Sequence, residues 1–259
     1  MLETEKCLAY KQIGNQKSNV TLVFLHGSTM TKEGLLPFAE GFGDYNCIVF
    51  DLTAHGESSG TEPEEITVFA ENVEQSVQEL QQKQIIGKKV VMLGYSMGGA
   101  ITCEIAIRKK ILLSGMVLLS SGGDLKSYTP LVDGLKQISP EQFEVTDVFS
   151  YLFGSDTSEK EREAIVKKFD STKVSNEISY GDLMASNRYN RLSDCKNIVI
   201  PALMVQGNDD QIVLPEAAVA TWKEIPDSQL LMIPYKGHAA IYEAQKLVTE
   251  KIIEFVQRL

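Results

Sequence analysis

VVMLGYSMGGAITCEIAI, residues 90–107, joins two apolar patterns across a turn. Residues 90–93 form a short apolar run, as in a buried strand, and 96–109 is apolar almost all round, as in a buried helix. At the junction one serine, Ser96, stands among Gly94, Gly98 and Gly99. Such a residue set adds little to a core but suits a sharp strand-to-helix turn. Glycines two residues either side let strand and helix pass without Cβ clashes, while the central residue takes a strained backbone. The Ser96 hydroxyl then projects from the C-terminal end of the sheet. The N–H of Met97 points at the same spot from a helix N-terminus, where partial positive charge gathers. Gly94-Tyr95-Ser96-Met97-Gly98 thus fits the G-x-S-x-G turn that exposes a nucleophilic hydroxyl.

Outward from this turn, the chain alternates short apolar runs with longer amphipathic ones. Strands are expected at 21–25, 47–50, 90–93, 116–119, 202–205 and 229–233, each nearly continuously apolar, as in a parallel sheet covered on both faces. Residues 7–13 alternate more and suit an outer strand. Helices are expected from Thr61 to about Gln84, with Pro63 and carboxylates in the first turn, and from Ala240 to Leu259, with Leu247, Val248, Ile252, Phe255 and Val256 on one face. This alternation predicts an open α/β fold, a mostly parallel central sheet flanked by helices. Residues 124–192 break the rhythm. They offer no buried strand but contain Tyr128, Pro130, Pro140, several aromatics and the charged run SEKEREAIVKKF. They are expected to form a helical insertion, leaving 1–123 and 193–259 as the core.

The bulk composition excludes several classes. With 43% apolar and 23% charged residues, the 259-residue chain is of ordinary globular type. A net charge of −10 leaves no electrostatic footprint for nucleic acid or an anionic membrane. Cys7, Cys47, Cys103 and Cys195 are scattered and read as reduced, apolar residues. No stretch approaches the roughly 18 apolar residues of a membrane helix, and the first residues do not resemble a secretory signal. A cytoplasmic protein without membrane insertion is expected. The sequence leaves a homo-oligomer open.

A serine hydroxyl needs a base, and histidine is the usual one. Three are available. His26 follows the strand at 21–25, His55 follows the strand at 47–50, and His238 follows the strand at 229–233, so all three fall at the same sheet edge as Ser96. Position alone selects none of them. The base in turn needs a carboxylate to fix its tautomer. VQGNDDQIVLP, after the strand at 202–205, offers Asp209 or Asp210, although Asn-Asp-Asp is also good turn chemistry.

Taken together, these motifs resemble the α/β-hydrolase superfamily over nearly the whole chain. His26-Gly27 is similar to the family's HG loop, which implies the backbone N–H of Ser28 as the second oxyanion donor beside that of Met97. FDLTAHGES resembles the D-x-x-G-H-G-x-S segment, with Ala54 where glycine is usual. GYSMGG resembles the nucleophile turn, Gly207-Asn-Asp-Asp210 the acid turn, and GHAA the catalytic-histidine loop. The order serine, acid, histidine is the family's own. The resemblance implies Ser96 as nucleophile, Asp210 as acid and His238 as base, with His26 and His55 structural and the 124–192 insertion a cap over the pocket. Phe149, Tyr151, Phe153, Tyr180 and Met184 of that cap are expected to bind an apolar acyl or alkyl group. The expected activity is hydrolysis of small-molecule carboxylic esters of short-to-medium acyl chains, lipase-like in kind, with no cofactor and no metal. Two alternatives stand. One is a C–C hydrolase or lyase resembling the menaquinone-pathway synthase, with Arg188 or Arg191 holding a carboxylate; the other is a ligand sensor.

Overall fold

A computed structural model of the chain describes residues 7–126 and 142–259. Seven strands form one sheet in the order β1-β3-β2-β4-β5-β6-β7. They are β1 (Tyr10–Gly14), β2 (Val20–Leu25), β3 (Asn46–Phe50), β4 (Lys89–Tyr95), β5 (Gly115–Leu119), β6 (Ala202–Gly207) and β7 (Ser228–Ile233). β1 pairs antiparallel with β3 at one edge, and every other pairing is parallel. The inner strands are buried along almost their whole length, which is why their sequences run apolar without alternation.

The strand order places the site. From β2 the sheet grows to one side through β3 and β1, and from β4 to the other through β5, β6 and β7. A crevice opens where the order reverses, at the carboxyl ends of β2 and β4. These two strands are hydrogen-bonded neighbours, with Leu25 opposite Gly94. The loop opening with His26 and the turn carrying Ser96 therefore emerge side by side.

Helices α1 (Lys32–Ala39), α2 (Ile66–Gln82) and α3 (Met97–Arg108) join the first strands. Between β5 and β6 come a 3-10 helix (Val145–Tyr151), α4 (Glu159–Thr172) and α5 (Asn176–Arg188). An isolated antiparallel bridge between Asp124 and Asn190 marks the neck of this helical insertion. Residues 127–141, with Tyr128, Pro130 and Pro140, lie outside the described residues. The chain ends with α6 (Pro215–Glu224), α7 (Ala240–Glu243) and α8 (Gln245–Val256).

Two expectations shift. α2 begins at Ile66, not Thr61, because Glu65 is extended (φ −137°) and Glu62 turns inward against the insertion. The terminal helix is broken at Ala244 (φ −134°, ψ 36°). Val248, Ile252, Phe255 and Val256 then make the buried stripe at i, i+4, i+7 and i+8, and Leu247, one step off it, is 47% exposed.

Ala54 stands at φ 65°, in the left-handed region that favours glycine. Relief of Cβ strain outweighs the greater freedom of glycine in the unfolded chain, so Ala54→Gly is expected to stabilise the protein by roughly 0.5–1 kcal/mol. Urea unfolding of the two proteins measures the difference; destabilisation would show that the turn is not strained.

Candidate active site

Ser96 sits between β4 and α3 at φ 53° and ψ −118°, a conformation that costs about 1–3 kcal/mol. Hydrogen bonds to its backbone hold it there. Its N–H donates to the carbonyl of Leu119 (2.9 Å), and its carbonyl accepts from the N–H of Gly99 and the hydroxyl of Ser121, both at 2.8 Å. The flanking glycines are required by contact. A Cβ on Gly94 would lie 2.1 Å from the carbonyl oxygen of Gly98, and one on Gly98 would lie 2.3 Å from that of Leu25.

The loops after β6 and β7 bring two further side chains to this hydroxyl. His238 Nε2 lies 2.9 Å from Ser96 Oγ, and His238 Nδ1 lies 2.8 Å from Asp210 Oδ2. An ionised carboxylate only accepts, so Nδ1 carries the proton and the Nε2 lone pair faces the serine. Asp210, 2% exposed, is itself fully engaged. Its Oδ1 accepts from the N–H groups of Ile212 and Val213 (2.9 and 3.0 Å), and Oδ2 also accepts from Gln206 Nε2 (2.8 Å). The His238 carbonyl is held by the hydroxyls of Ser120 (2.9 Å) and Tyr95 (3.3 Å). Asp209 points elsewhere, accepting from the N–H (3.0 Å) and the hydroxyl of Ser155 in the insertion.

The other two histidines are buried in the loops that carry them. His26 Nδ1 donates to the carbonyl of Gly27 (2.8 Å), and Nε2 accepts from the N–H of Leu52 (3.0 Å), which fixes a neutral ring. Burial, reinforced by the neighbouring His55, lowers the His26 pKa to about 4. Gly27 is pressed against the turn, since a Cβ there would lie 3.1 Å from Ser96 Cβ. Ser28 therefore borders the same space as Ser96 and His238. Met97 opens α3, where first-turn N–H groups have no acceptor inside the helix. Thr29 stands at φ 71° with both backbone polar groups tied to the insertion, its N–H to Asp182 Oδ2 (2.8 Å) and its carbonyl to the N–H of Val174 (3.1 Å).

Above Ser96 and His238 lies a cavity of about 30 Å³, walled among the described residues by Val148, Phe149, Leu152, Phe169, Leu183 and Ile212. Of the five side chains expected to bind substrate, Phe149 is on this wall. Tyr151 is 42% exposed. Phe153 packs under the Arg162 guanidinium, 5.6 Å from its ring centre, and Tyr180 packs against Phe143. Met184, half-buried, is one residue past Leu183 and so about 100° round α5 from the cavity. The two arginines named for a carboxylate are also engaged elsewhere: Arg188 donates to the carbonyl of Glu64, and Arg191 pairs with Glu104 and Asp194.

Among the described residues, the group of His, Cys, Asp and Glu side chains close enough to consider for a metal is His55, Glu62 and Asp182. The Thr29 N–H and His55 Nε2 both meet Asp182 Oδ2, while Asp182 Oδ1 and both Glu62 oxygens have no hydrogen-bond partner among the described residues. No helix among the described residues is long and apolar enough to cross a membrane.

A parallel sheet with serine, acid and histidine loops converging at its switch point defines a hydrolase of the α/β fold. The chain belongs to the alpha/beta hydrolase family, whose model matches residues 22–250. It is 26% identical to Lipase 1 of Psychrobacter immobilis over 250 residues, which cover 92% of this chain and 76% of that protein. It is 25% identical to the uncharacterized hydrolase YugF of Bacillus subtilis (strain 168) over 270 residues, 96% of this chain and 92% of that one. Among solved structures, a lipase-esterase related protein from Clostridium acetobutylicum ATCC 824 matches with a TM-score of 0.85 at 29% identity, over 96% of this chain and all of that one.

Proposed function

We propose that this hydrolase cleaves carboxylic esters with a small acyl group through an acyl-enzyme on Ser96. The observation that carries the reading is the unbroken hydrogen-bonded line from Ser96 Oγ through the His238 ring to buried Asp210. Ser96 Oγ attacks the ester carbonyl carbon as His238 Nε2 takes its proton. The tetrahedral oxyanion is received by the N–H groups of Ser28 and Met97, each such donor being worth about 3 kcal/mol in related chemistry. The C–O bond to the alcohol breaks, and His238 returns the proton to the departing oxygen. Water, activated by the same ring, then releases the acid. Asp210 keeps the proton on Nδ1 and stabilises the imidazolium that forms.

The wall of the cavity supports an apolar acyl group, and a volume of about 30 Å³ favours the short end of the range. With Arg188 and Arg191 turned away, the described residues offer the cavity no guanidinium for a carboxylate, which favours ester hydrolysis over C–C chemistry on acidic substrates. The lipase and esterase names among the relatives agree with this reading. On a chromogenic ester series from acetate to decanoate, kcat/KM is expected to peak between acetate and butyrate and fall more than about tenfold by decanoate, since extra methylenes outgrow so small a cavity. A rise toward decanoate would overturn the small-acyl assignment. No turnover on any ester would favour a sensor.

A further inference from the structure

We propose that Asp182, on α5 of the insertion, is a positioning residue for the oxyanion loop, held in register by a proton shared between its carboxyl group and that of Glu62. The proposal rests on reading Ser28 and Met97 as the oxyanion donors. Asp182 is fully buried and never reaches the cavity, so it acts through the backbone. Its Oδ2 takes the N–H of Thr29, the residue after Ser28, at 2.8 Å. Thr29 occupies a left-handed conformation that a β-branched residue rarely adopts unaided, and both its polar backbone groups end on the insertion. The peptide linking Ser28 to Thr29 is thus oriented from above, and with it the loop that presents the Ser28 N–H.

The charges around Asp182 show what keeps it there. His55 Nε2 lies 3.0 Å from the same Oδ2, while His55 Nδ1 lies 2.8 Å from the carbonyl of Thr53. Both ring nitrogens face acceptors, so the ring is an imidazolium. Burial opposes that charge, but Asp182 outweighs it and raises the His55 pKa. Asp182 Oδ1 and both oxygens of Glu62 are buried with no hydrogen-bond partner among the described residues. The Glu62 side chain lies over Gly181, where a Cβ would stand 3.2 Å from its Cγ, and one oxygen of its carboxyl group lies within 4.8 Å of one of Asp182 and of the His55 ring. Two acceptor-only carboxylates buried this close have no donor between them; one proton on Glu62 supplies it. Burial, then the charge of Asp182, pushes the Glu62 pKa up to about 10.

Titratable groups reach this pair from three elements among the described residues. α5 contributes Asp182, and its Arg188 is taken by the Glu64 carbonyl; the loop after β3 contributes His55, 4.0 Å from Glu62, with Asp51 further off; the loop after β2 contributes His26, its ring centre 5.0 Å from that of His55. Loss of the Glu62 proton therefore sets carboxylate against carboxylate. Asp182 is displaced and Thr29 is released. The direction follows from the raised Glu62 pKa: the clamp is intact at neutral pH and lost as pH rises through about 10.

The test compares wild type, Asp182→Ala, Glu62→Gln and Glu62→Ala in two measurements. The first is steady-state acetate release from an alkyl acetate between pH 7 and 10.5. Asp182→Ala is expected to lower kcat about 100-fold with KM changed less than about threefold, as for a misplaced oxyanion donor. Glu62→Gln, whose amide N–H does not titrate, is expected to keep wild-type kcat at pH 7 and to lose the alkaline decline, whereas Glu62→Ala falls at pH 7. The second is hydrogen exchange at the Thr29 amide, which needs no turnover and is expected to quicken more than about tenfold in Asp182→Ala. Without any ester turnover in wild type, the functional reading fails while the exchange still reports the clamp. A folded Asp182→Ala with kcat within threefold of wild type, or unchanged Thr29 exchange, would overturn the proposal. So would a Glu62→Gln pH profile superimposable on wild type, the deciding comparison should Asp182→Ala not fold. A stoichiometric divalent metal lost on Asp182→Ala would replace the shared proton with a cation and overturn it equally.

Discussion

Ser96→Ala is expected to lower kcat/KM for an acetate ester by at least about 10⁴-fold, because no other group can form the acyl-enzyme and only binding and the oxyanion donors remain. Stability should stay within about 1 kcal/mol of wild type. The hydroxyl makes one hydrogen bond, to His238, whereas the backbone bonds that hold the strained turn come from Leu119, Gly99 and Ser121 and survive the change. Steady-state kinetics paired with urea unfolding reads both quantities. Activity within tenfold of wild type in a folded protein would remove Ser96 from the chemistry, and a large stability loss would mean that the hydroxyl helps to hold the turn.

Asp210→Asn comes next in size, with an expected loss in kcat of about 10⁴-fold. The four donors around this side chain give the reason. Oδ1 receives two backbone N–H groups, and Oδ2 receives Gln206 and His238. An asparagine that keeps its oxygen on the backbone donors turns its NH₂ toward His238. The ring answers by baring Nδ1 and carrying its proton on Nε2, where Ser96 Oγ no longer finds an acceptor. Asp209→Ala provides the contrast: that half-buried carboxylate is bonded to Ser155, away from His238, and kcat should stay within about twofold. Equal losses from the two variants would mean that the acid turn acts as a unit.

The parts of this site legible in the sequence are those written in consecutive residues. Gly94 is dictated by a backbone contact of 2.1 Å to Gly98 within the turn itself, and Gly98 by one of 2.3 Å to Leu25 on the neighbouring strand; the first is local, so the turn leaves a signature in consecutive residues. The apolar runs became the buried strands for a similar reason, because a strand covered on both faces must be apolar at every position. Sequence spacing could not separate Asp209 from Asp210, which sit in one turn and face opposite ways. The family's G-x-x-D spacing favoured Asp210, and it is Asp210 that meets His238.

Asp182 illustrates what was hidden. It stands 127 residues from His55 and carries no motif, and a buried charged residue on an amphipathic helix reads as an ordinary polar position. One signal was present in the segment Thr61–Glu65. Its proline and carboxylates suit a helix N-terminus, yet Glu62 turns inward onto Gly181, and only the packing of α5 shows why. Leu247 failed differently. The expected apolar face assumed one continuous helix, and the break at Ala244 changes which residues share a face. Cavity-facing residues of the insertion were hidden for a related reason. An aromatic-rich stretch announces burial but not direction, so Phe149 and Tyr151, two positions apart on one 3-10 helix, ended on the wall and in solvent respectively.

The most direct test of the central claim is reaction with an alkyl fluorophosphonate followed by intact mass and peptide mapping. Ser96 Oγ should displace fluoride from phosphorus and carry one phosphonyl group per chain. The adduct should be absent from Ser96→Ala and form far more slowly in His238→Ala. A wild-type chain that hydrolyses esters but takes the label on another residue, or takes none, would contradict the assignment of Ser96 as the nucleophile.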